Sequence, residues 1–141
     1  MKQTPVATLD TNVLVSGLLN PFGNPGRIVD LVLARRLGLA YDDRLLMEYE
    51  AVLRRPRLGL PVRQVERFLS IFPFQQRVLA APWPHAPSPD PPDTMFLEVA
   101  TAAGQILVAG NVRHFPAKCR GGVRVMTPAE YLAEEWNSPS L

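Results

Sequence analysis

Short apolar runs alternate with segments of helical periodicity along this chain, and this alternation restricts the fold more than any other feature. Residues 6–9 have the pattern of a buried strand that ends at the turn-forming residue Asp10. Further strands are predicted at residues 39–41, 105–109 and 123–126. Parallel strands need helical crossovers, so the sequence predicts an α/β fold of three layers, α/β/α, with a central, mostly parallel sheet.

The first half of the chain contains three predicted helices after the first strand. Residues 27–37 carry apolar side chains at helical spacing, with Gly38 as the expected C-cap. Asp42 or Asp43 can cap the next helix, and Pro61 begins the third. Each of these helices can cover one face of the sheet with its apolar stripe.

A proline-rich connector divides the predicted elements of the two halves. Six of the fifteen prolines lie in residues 81–92, which predicts an extended segment over the surface. A helix that begins at Asp90 or Asp93 follows it. The final helix opens with a capping box at residues 127–130, and its end and a tail account for residues 134–141.

The composition limits the class of protein. A chain of 141 residues is expected to form one domain with one core. The one cysteine, Cys119, excludes an internal disulfide and a cysteine-based zinc site. Residues 1–6 lack the apolar core of a signal peptide, and no apolar run reaches the roughly 18 residues of a membrane span. We therefore expect a soluble, cytoplasmic protein without a membrane partner.

Basic side chains are clustered although the net charge is only +2. Arg54 and Arg55 belong to one cluster, and Arg113 and His114 belong to another. Either cluster could contact phosphates. Either could equally be a solvated face with ordinary ion pairs, and His114 alone is more typical of a surface loop than of a catalytic base.

Polar residues from four segments are predicted to meet at one edge of the sheet. Asp10 follows the first strand, and Asn111 follows the strand at residues 105–109. Glu48 lies in the first part of its helix, and Asp93 lies at the start of another. The carboxyl ends of parallel strands and the N-terminal ends of the crossover helices share an edge, which is where ligands bind in open α/β sheets.

Carboxylates at this edge indicate a metal site. Helical spacing places Asp93 on the inward face with Phe96 and Leu97, so its charge would lie beside that of Asp10. Like charges in a poorly solvated place repel strongly unless a cation joins them. Oxygen ligands favour Mg²⁺ or Mn²⁺, and such an ion can activate water for attack on a phosphodiester.

Each of these residues also has an ordinary structural interpretation. Asp90 can be a helix N-cap, and Asp10 or Asn111 can be a turn former. Glu48 and Glu50 flank the apolar stripe of their helix on opposite sides, so periodicity does not choose between them. The sequence pattern therefore leaves the composition of the metal site open.

Five stretches, in order, resemble the PIN-domain family, and most closely its VapC-like branch of toxins from toxin–antitoxin pairs. They are LDTNVLVS at 9–16, EYEAVLRRP at 48–56, DPPDTMFL at 90–97, LVAGNVRHFP at 107–116 and VMTPAEYL at 125–132. The resemblance covers nearly the whole chain. It implies a PIN fold, metal-dependent endoribonuclease activity on single-stranded RNA, a homodimer, and inhibition by a small cognate antitoxin.

The resemblance also implies roles for particular residues. Asp10 and Asp93 would bind the catalytic metal, with Asp90 as a nearby helper. Glu48 would orient a water at the metal. Asn12, together with Thr11, would hold Asp10 in place, as hydrogen-bonding neighbours of metal ligands commonly do.

One motif departs from the family pattern. Many members carry Thr or Ser before the glycine and Asp after it, whereas this chain has Ala109 and Asn111. Asn111 would be a neutral metal ligand, so a second metal should bind more weakly. A one-metal mechanism, or reduced activity, follows from this change. The alternative is a PIN-like module that binds RNA or regulates without cleaving.

Overall fold

Five parallel strands form one sheet in the computed structural model, which describes residues 4–136. In chain order the strands are β1 Val6–Leu9, β2 Gly38–Tyr41, β3 Gln76–Arg77, β4 Ile106–Val108 and β5 Arg124–Met126. Their order across the sheet is β3-β2-β1-β4-β5, and every neighbouring pair is parallel. The predicted α/β fold is confirmed, and the sheet is parallel throughout.

Helices flank this sheet. They are α1 Thr11–Leu19, α2 Asn24–Leu33, α3 Asp43–Leu53, α4 Val62–Leu69, α5 Thr94–Ala102 and α6 Pro128–Tyr131, the last continued by a π-helical turn, Leu132–Trp136. The chain adds β2 and β3 on one side of β1 and then crosses to the other side for β4 and β5. The strand order therefore reverses between β1 and β4, and a crevice forms at their carboxyl ends.

The first helix was not predicted from the sequence. Residues 10–12 have the composition of a polar turn, but Asp10 keeps an extended backbone (φ −62°, ψ 146°) and α1 begins at the next residue. The helix buries one face, including Val13, Leu14 and Leu18. A β-carbon on Gly17 would lie 2.5 Å from the Val29 side chain, so α1 and α2 cross closely there.

The boundaries of α2 also differ from the prediction. The helix begins earlier, at Asn24, and ends at Leu33, and Arg35 rather than Gly38 adopts the left-handed conformation that follows it (φ 59°). Gly38 is instead the first residue of β2, where its N–H donates to the Pro5 carbonyl at 2.8 Å. Gly38 therefore belongs to the sheet rather than to the helix end.

The strand β3 was not predicted, because its two residues, Gln76 and Arg77, are polar and exposed and give no apolar strand pattern.

The capping box before α6 is confirmed: Thr127 and Glu130 each accept a hydrogen bond from the other's backbone N–H. The predicted tail at residues 137–141 lies outside the described residues. No helix within residues 4–136 combines the length and the apolar character needed to cross a membrane.

Tyr49 connects three elements of the core. Its fully buried hydroxyl donates to the Leu9 carbonyl at 2.5 Å, which joins α3 to the end of β1. Its ring packs against Phe72 and Phe96, at centroid distances of 5.9 and 6.5 Å. Because Leu9 precedes Asp10, this contact holds the carboxyl end of β1 in place.

Tyr49→Phe should lower the free energy of unfolding by about 1–2 kcal/mol, because the buried Leu9 carbonyl loses its hydroxyl donor. Tyr131→Phe is the matched control: Tyr131 is 1% exposed, and its hydroxyl donates to none of the described residues. It should change stability by less than about 0.5 kcal/mol. Urea denaturation measures both, and equal losses would contradict this role of the Tyr49 hydroxyl.

Candidate metal-binding nuclease site

Asp10 lies at the point where the strand order reverses. Its backbone N–H donates to the Val108 carbonyl at 2.9 Å, which extends the β1–β4 pairing by one residue. Its side chain is at the N-terminal end of α1, where it makes no capping hydrogen bond. Asp10 is only 4% exposed. The strand and the helix together thus fix a buried carboxylate at the sheet edge.

Asp93, from the second half of the chain, lies at the same cleft as Asp10. It closes a 3₁₀ turn, Pro91–Asp93, directly before α5, and its N–H donates to the Asp90 carbonyl at 2.9 Å. Its Oδ2 atom lies 3.3 Å from His114 Nδ1, outside hydrogen-bonding geometry, and has no hydrogen-bond partner among the described residues. The orientation predicted for Asp93 agrees with its 16% side-chain exposure.

Ser88 positions the turn that carries Asp93. This residue of the proline-rich connector is buried, and its hydroxyl donates to the His114 carbonyl at 2.6 Å. The same oxygen accepts the Asp90 N–H at 3.2 Å. Ser88 therefore holds the start of α5 against the turn Val112–His114. Sequence reasoning did not identify Ser88, because nothing local distinguishes it among the prolines.

The third carboxylate is Glu48 rather than Glu50. Glu48 faces a cleft of about 130 Å³ that Asp10 and Asp93 also line. Glu50 is exposed and forms an ion pair with Arg54 at 3.3 Å. The helical pattern left both glutamates open, and the packing of α3 places Glu48 at the cleft.

One basic residue lines this acidic cleft. The described residues around it are Asp10, Thr11, Asn12, Glu48, Val52, Arg55, Pro92, Asp93, Met95 and Phe96. Arg55 is the cation among them, and it is exposed at the end of α3. The cleft thus combines three carboxylates with one guanidinium group, which is suited to an anion bound beside a cation.

Burial and neighbouring carboxylates raise the proton affinity of Asp10 and Asp93. Burial, followed by the charge of Asp93, raises the pKa of Asp10 to about 6, against the opposing effects of the Asn12 and Thr11 backbone and of His114. Burial also raises the pKa of Asp93, with Asp90 and Glu48 adding to the shift and His114 opposing it. A bound cation would relieve this repulsion.

The family model of the PIN domain matches residues 7–113. This chain belongs to the PIN domain family. PIN domains form a nuclease superfamily whose members typically use divalent metals. The matched region contains all three carboxylates of the cleft.

A relative from Methanocaldococcus jannaschii, named "Uncharacterized protein MJ1680", is 28% identical over 106 residues. The match covers 73% of this chain and 68% of the relative. Its name assigns no activity, so it adds no substrate to the family assignment. No solved structure matches the chain significantly.

The donor set of this PIN domain fits a hard divalent cation. Asp93 presents a buried oxygen without a hydrogen bond, and Asp10 presents a second buried carboxylate. Among the described residues, no three acidic, histidine or cysteine side chains form a preassembled cage. Mg²⁺ does not need one, because it commonly keeps several waters and binds through one or two carboxylates plus substrate phosphates.

The other predicted site residues have different surroundings. Asn111 is exposed, and its side-chain oxygen accepts the Arg113 N–H at 3.1 Å, so it caps the turn Val112–His114. Asp90 is exposed one turn before Asp93. Metal ligation by these two residues stays a prediction. Thr11 lines the cleft, and its buried hydroxyl has no hydrogen-bond partner within the described chain.

The raised pKa of Asp10 makes stability depend on pH. The folded state holds the Asp10 proton more tightly than the unfolded state, so stability should fall as pH rises from about 4, near the ordinary value of 3.8, to about 6. At pH 7.5 in chelator, Asp10→Asn should therefore raise the free energy of unfolding, by on the order of 2 kcal/mol. The gain should disappear near pH 4.

Chemical denaturation across this pH range measures the effect. Asp30→Asn is the control, because Asp30 is an exposed carboxylate on α2, and it should alter stability by less than about 0.5 kcal/mol at pH 7.5. An Asp10→Asn variant that is less stable than the wild type at pH 7.5 would contradict the electrostatic account of the cleft.

Proposed function

We propose that this PIN domain is a metal-dependent endoribonuclease that cleaves single-stranded RNA. The observation that carries the proposal is the convergence of Asp10, Glu48 and Asp93 in one cleft at the carboxyl edge of the sheet. Two of these carboxylates, Asp10 and Asp93, have raised pKa values, first because of burial and then because of neighbouring negative charges. Such perturbed acids in a cleft are typical of sites that bind a cation and act on a substrate.

Asp10 and Asp93 would hold Mg²⁺ or Mn²⁺, and the ion, when bound, would polarise the phosphate and make water a better nucleophile. Glu48, on the neighbouring helix, can accept a proton and orient the attacking water. The His114 ring lies beside Asp93, with Nδ1 3.3 Å from Oδ2. Arg55 would contact the non-bridging oxygens of the phosphate.

The narrower parts of the proposal come from the resemblance to VapC-like toxins. They are the restriction to single-stranded RNA, a homodimer, and a cognate antitoxin that inhibits the enzyme. If the chain is a toxin, its expression should arrest growth, whereas the Asp10→Asn variant should not. Relief of that arrest by a small protein encoded beside it would support the antitoxin.

A second candidate function is RNA binding with little or no cleavage. Two observations favour it: Asn111 replaces a charged residue of the family pattern, and the described acids form no three-membered metal cage. Both observations favour weak binding of one metal ion over tight binding of two metal ions. A cleavage assay separates the two candidates.

Cleavage of single-stranded RNA should require Mn²⁺ or Mg²⁺ and should stop in chelator. Asp10→Asn and Asp93→Asn should each lower kcat by at least about a hundredfold, because each removes a negative ligand. Glu48→Gln should also lower kcat, whereas the matched control, Glu50→Gln, should retain wild-type rates. Single-turnover kinetics on a labelled oligonucleotide measure these effects.

Activity that survives chelation, or that survives both aspartate substitutions, would overturn the metal-nuclease proposal. Absence of cleavage by the wild type with either metal, combined with RNA binding, would favour the second candidate. Equal effects of the Glu48 and Glu50 substitutions would remove Glu48 from the proposed mechanism.

Arg55 and Arg54 form a matched pair for testing phosphate binding. Arg54 makes ion pairs with Glu50 and Glu66, at 3.3 and 3.1 Å, whereas Arg55 lines the cleft and pairs with no described carboxylate. Arg55→Gln should weaken RNA binding in chelator by roughly tenfold and reduce its salt dependence by about one ion. Arg54→Gln should change affinity by less than threefold. Equal losses in a fluorescence anisotropy titration would contradict a specific role for Arg55.

A further inference from the structure

A second, larger cavity lies at the opposite end of α5 from Asp93. Its volume is about 490 Å³, within the usual range for small-ligand pockets. One wall is the proline-rich connector, including Trp83 and His85, and the other is formed by the end of α5 and the start of β4, including Thr101 and Gln105. Both sites use α5: Met95 and Phe96 near its start line the cleft, whereas Glu98, Thr101 and Ala102 farther along it line the cavity.

Trp83 forms a fixed aromatic wall in this cavity. Its indole N–H donates to the carbonyls of Ala86 and Cys119, at 3.2 and 3.1 Å, so its edge is anchored to two segments. The His85 ring packs against it edge-on, with centroids 5.1 Å apart. Gly121 leaves room for this pair, since a β-carbon there would lie 2.7 Å from the His85 ring. An anchored ring that lines a cavity can stack with a flat ligand at little entropic cost.

Polar groups lie at the far side of the cavity. Gln105 has a left-handed backbone (φ 64°), an unusual conformation for a residue other than glycine. Its exposed side chain lines the cavity, and no hydrogen bond joins its amide to a described residue. Glu98 lines the same wall and accepts a hydrogen bond from Arg44 at 2.7 Å. An amide beside a carboxylate offers both donors and acceptors to the edge of a nucleobase.

The proline-rich connector links this cavity with the cleft. Ser88 joins the connector to His114, beside Asp93, and Trp83 joins it to Cys119. Arg113 and Lys118 are the sequence neighbours of these two contact residues. Both are exposed, and neither forms an ion pair with a described residue, so both can contact phosphates.

We propose that the Trp83 cavity binds an unstacked base of the single-stranded RNA whose backbone occupies the cleft. The inference rests on the proposed function for the identity of the ligand. The combination of an aromatic wall, the free amide of Gln105 and exposed cations in the neighbouring loop is that of sites for single-stranded nucleic acid. RNA bound at both places would contact the protein at the phosphate that is cut and again at a base farther along the strand.

The chain has two tryptophans, Trp83 and Trp136, so fluorescence can report on the cavity directly. In the Trp136→Phe variant, Trp83 is the remaining tryptophan, and the ring contact with Arg36 is kept in part. A single-stranded oligoribonucleotide of about ten nucleotides, added in chelator, should quench Trp83 fluorescence to saturation. The same sequence as a blunt duplex should not quench it, because its bases are stacked and paired.

Two further variants separate binding from folding. Trp83→Phe keeps an aromatic face but loses the N–H that anchors it, so it should weaken RNA binding less than Trp83→Leu, which should weaken it by about tenfold. Gln105→Gly removes the amide and relieves the left-handed backbone. It should preserve or raise the unfolding temperature while weakening RNA binding severalfold.

The outcomes distinguish this inference from the proposed function. Metal-dependent cleavage without quenching of Trp83, or an RNA affinity that the Trp83→Leu and Gln105→Gly substitutions leave unchanged, overturns the base site alone. Saturable quenching without cleavage by any metal supports the base site and overturns the nuclease. Binding of an apolar peptide, with neither RNA quenching nor cleavage, overturns both.

Discussion

The reversal of strand order at β1 is the constraint on which the rest of the structure depends. With β2 on one side and β4 on the other, β1 is covered along both edges, and the chain beyond it must leave the sheet at Asp10. A crevice at that point is a property of the topology, not of any side chain. The side chains determine what the crevice can bind, and here they supply carboxylates from three separate elements.

Those carboxylates are held together against their own repulsion. The buried contacts around Tyr49 and the Ser88 hydrogen bonds to the turn before α5 keep Asp10 and Asp93 at the cleft at the expense of raised pKa values. Strain of this kind is stored where the surrounding fold over-determines the geometry. A cation bound between these carboxylates would remove the repulsion.

The parts of this molecule that the sequence could predict are those encoded by near neighbours. Residues 6–9 and the capping box at Thr127 depend on local patterns, and both were predicted correctly. The helix α1 was missed because its first residues are polar, and the same polar residues are typical of a helix N-terminus and of a turn. The strand β3 exists because β2 offers it backbone partners, and nothing in Gln76 or Arg77 encodes that.

For the candidate site, the order of the acids along the chain was sufficient to predict a shared edge, but not the contacts within it. Only the packing of α3 separates Glu48 from Glu50, and only the path of the connector brings Ser88 to His114. Both depend on contacts between residues that are distant in sequence. The cavity beside Trp83 is of the same kind, since a proline-rich segment has no periodicity from which its packing could be inferred.

The outer strands of the sheet have a further consequence for assembly. β3 has two residues, and Arg77 at its end pairs with Asp43 at 2.6 Å; β5 has three, and Arg124 at its start pairs with Glu135. Short edge strands offer an incoming strand few free backbone groups, and their charged side chains make pairing with it unfavourable. Copies of this chain are therefore poorly suited to join into a continuous sheet through these edges.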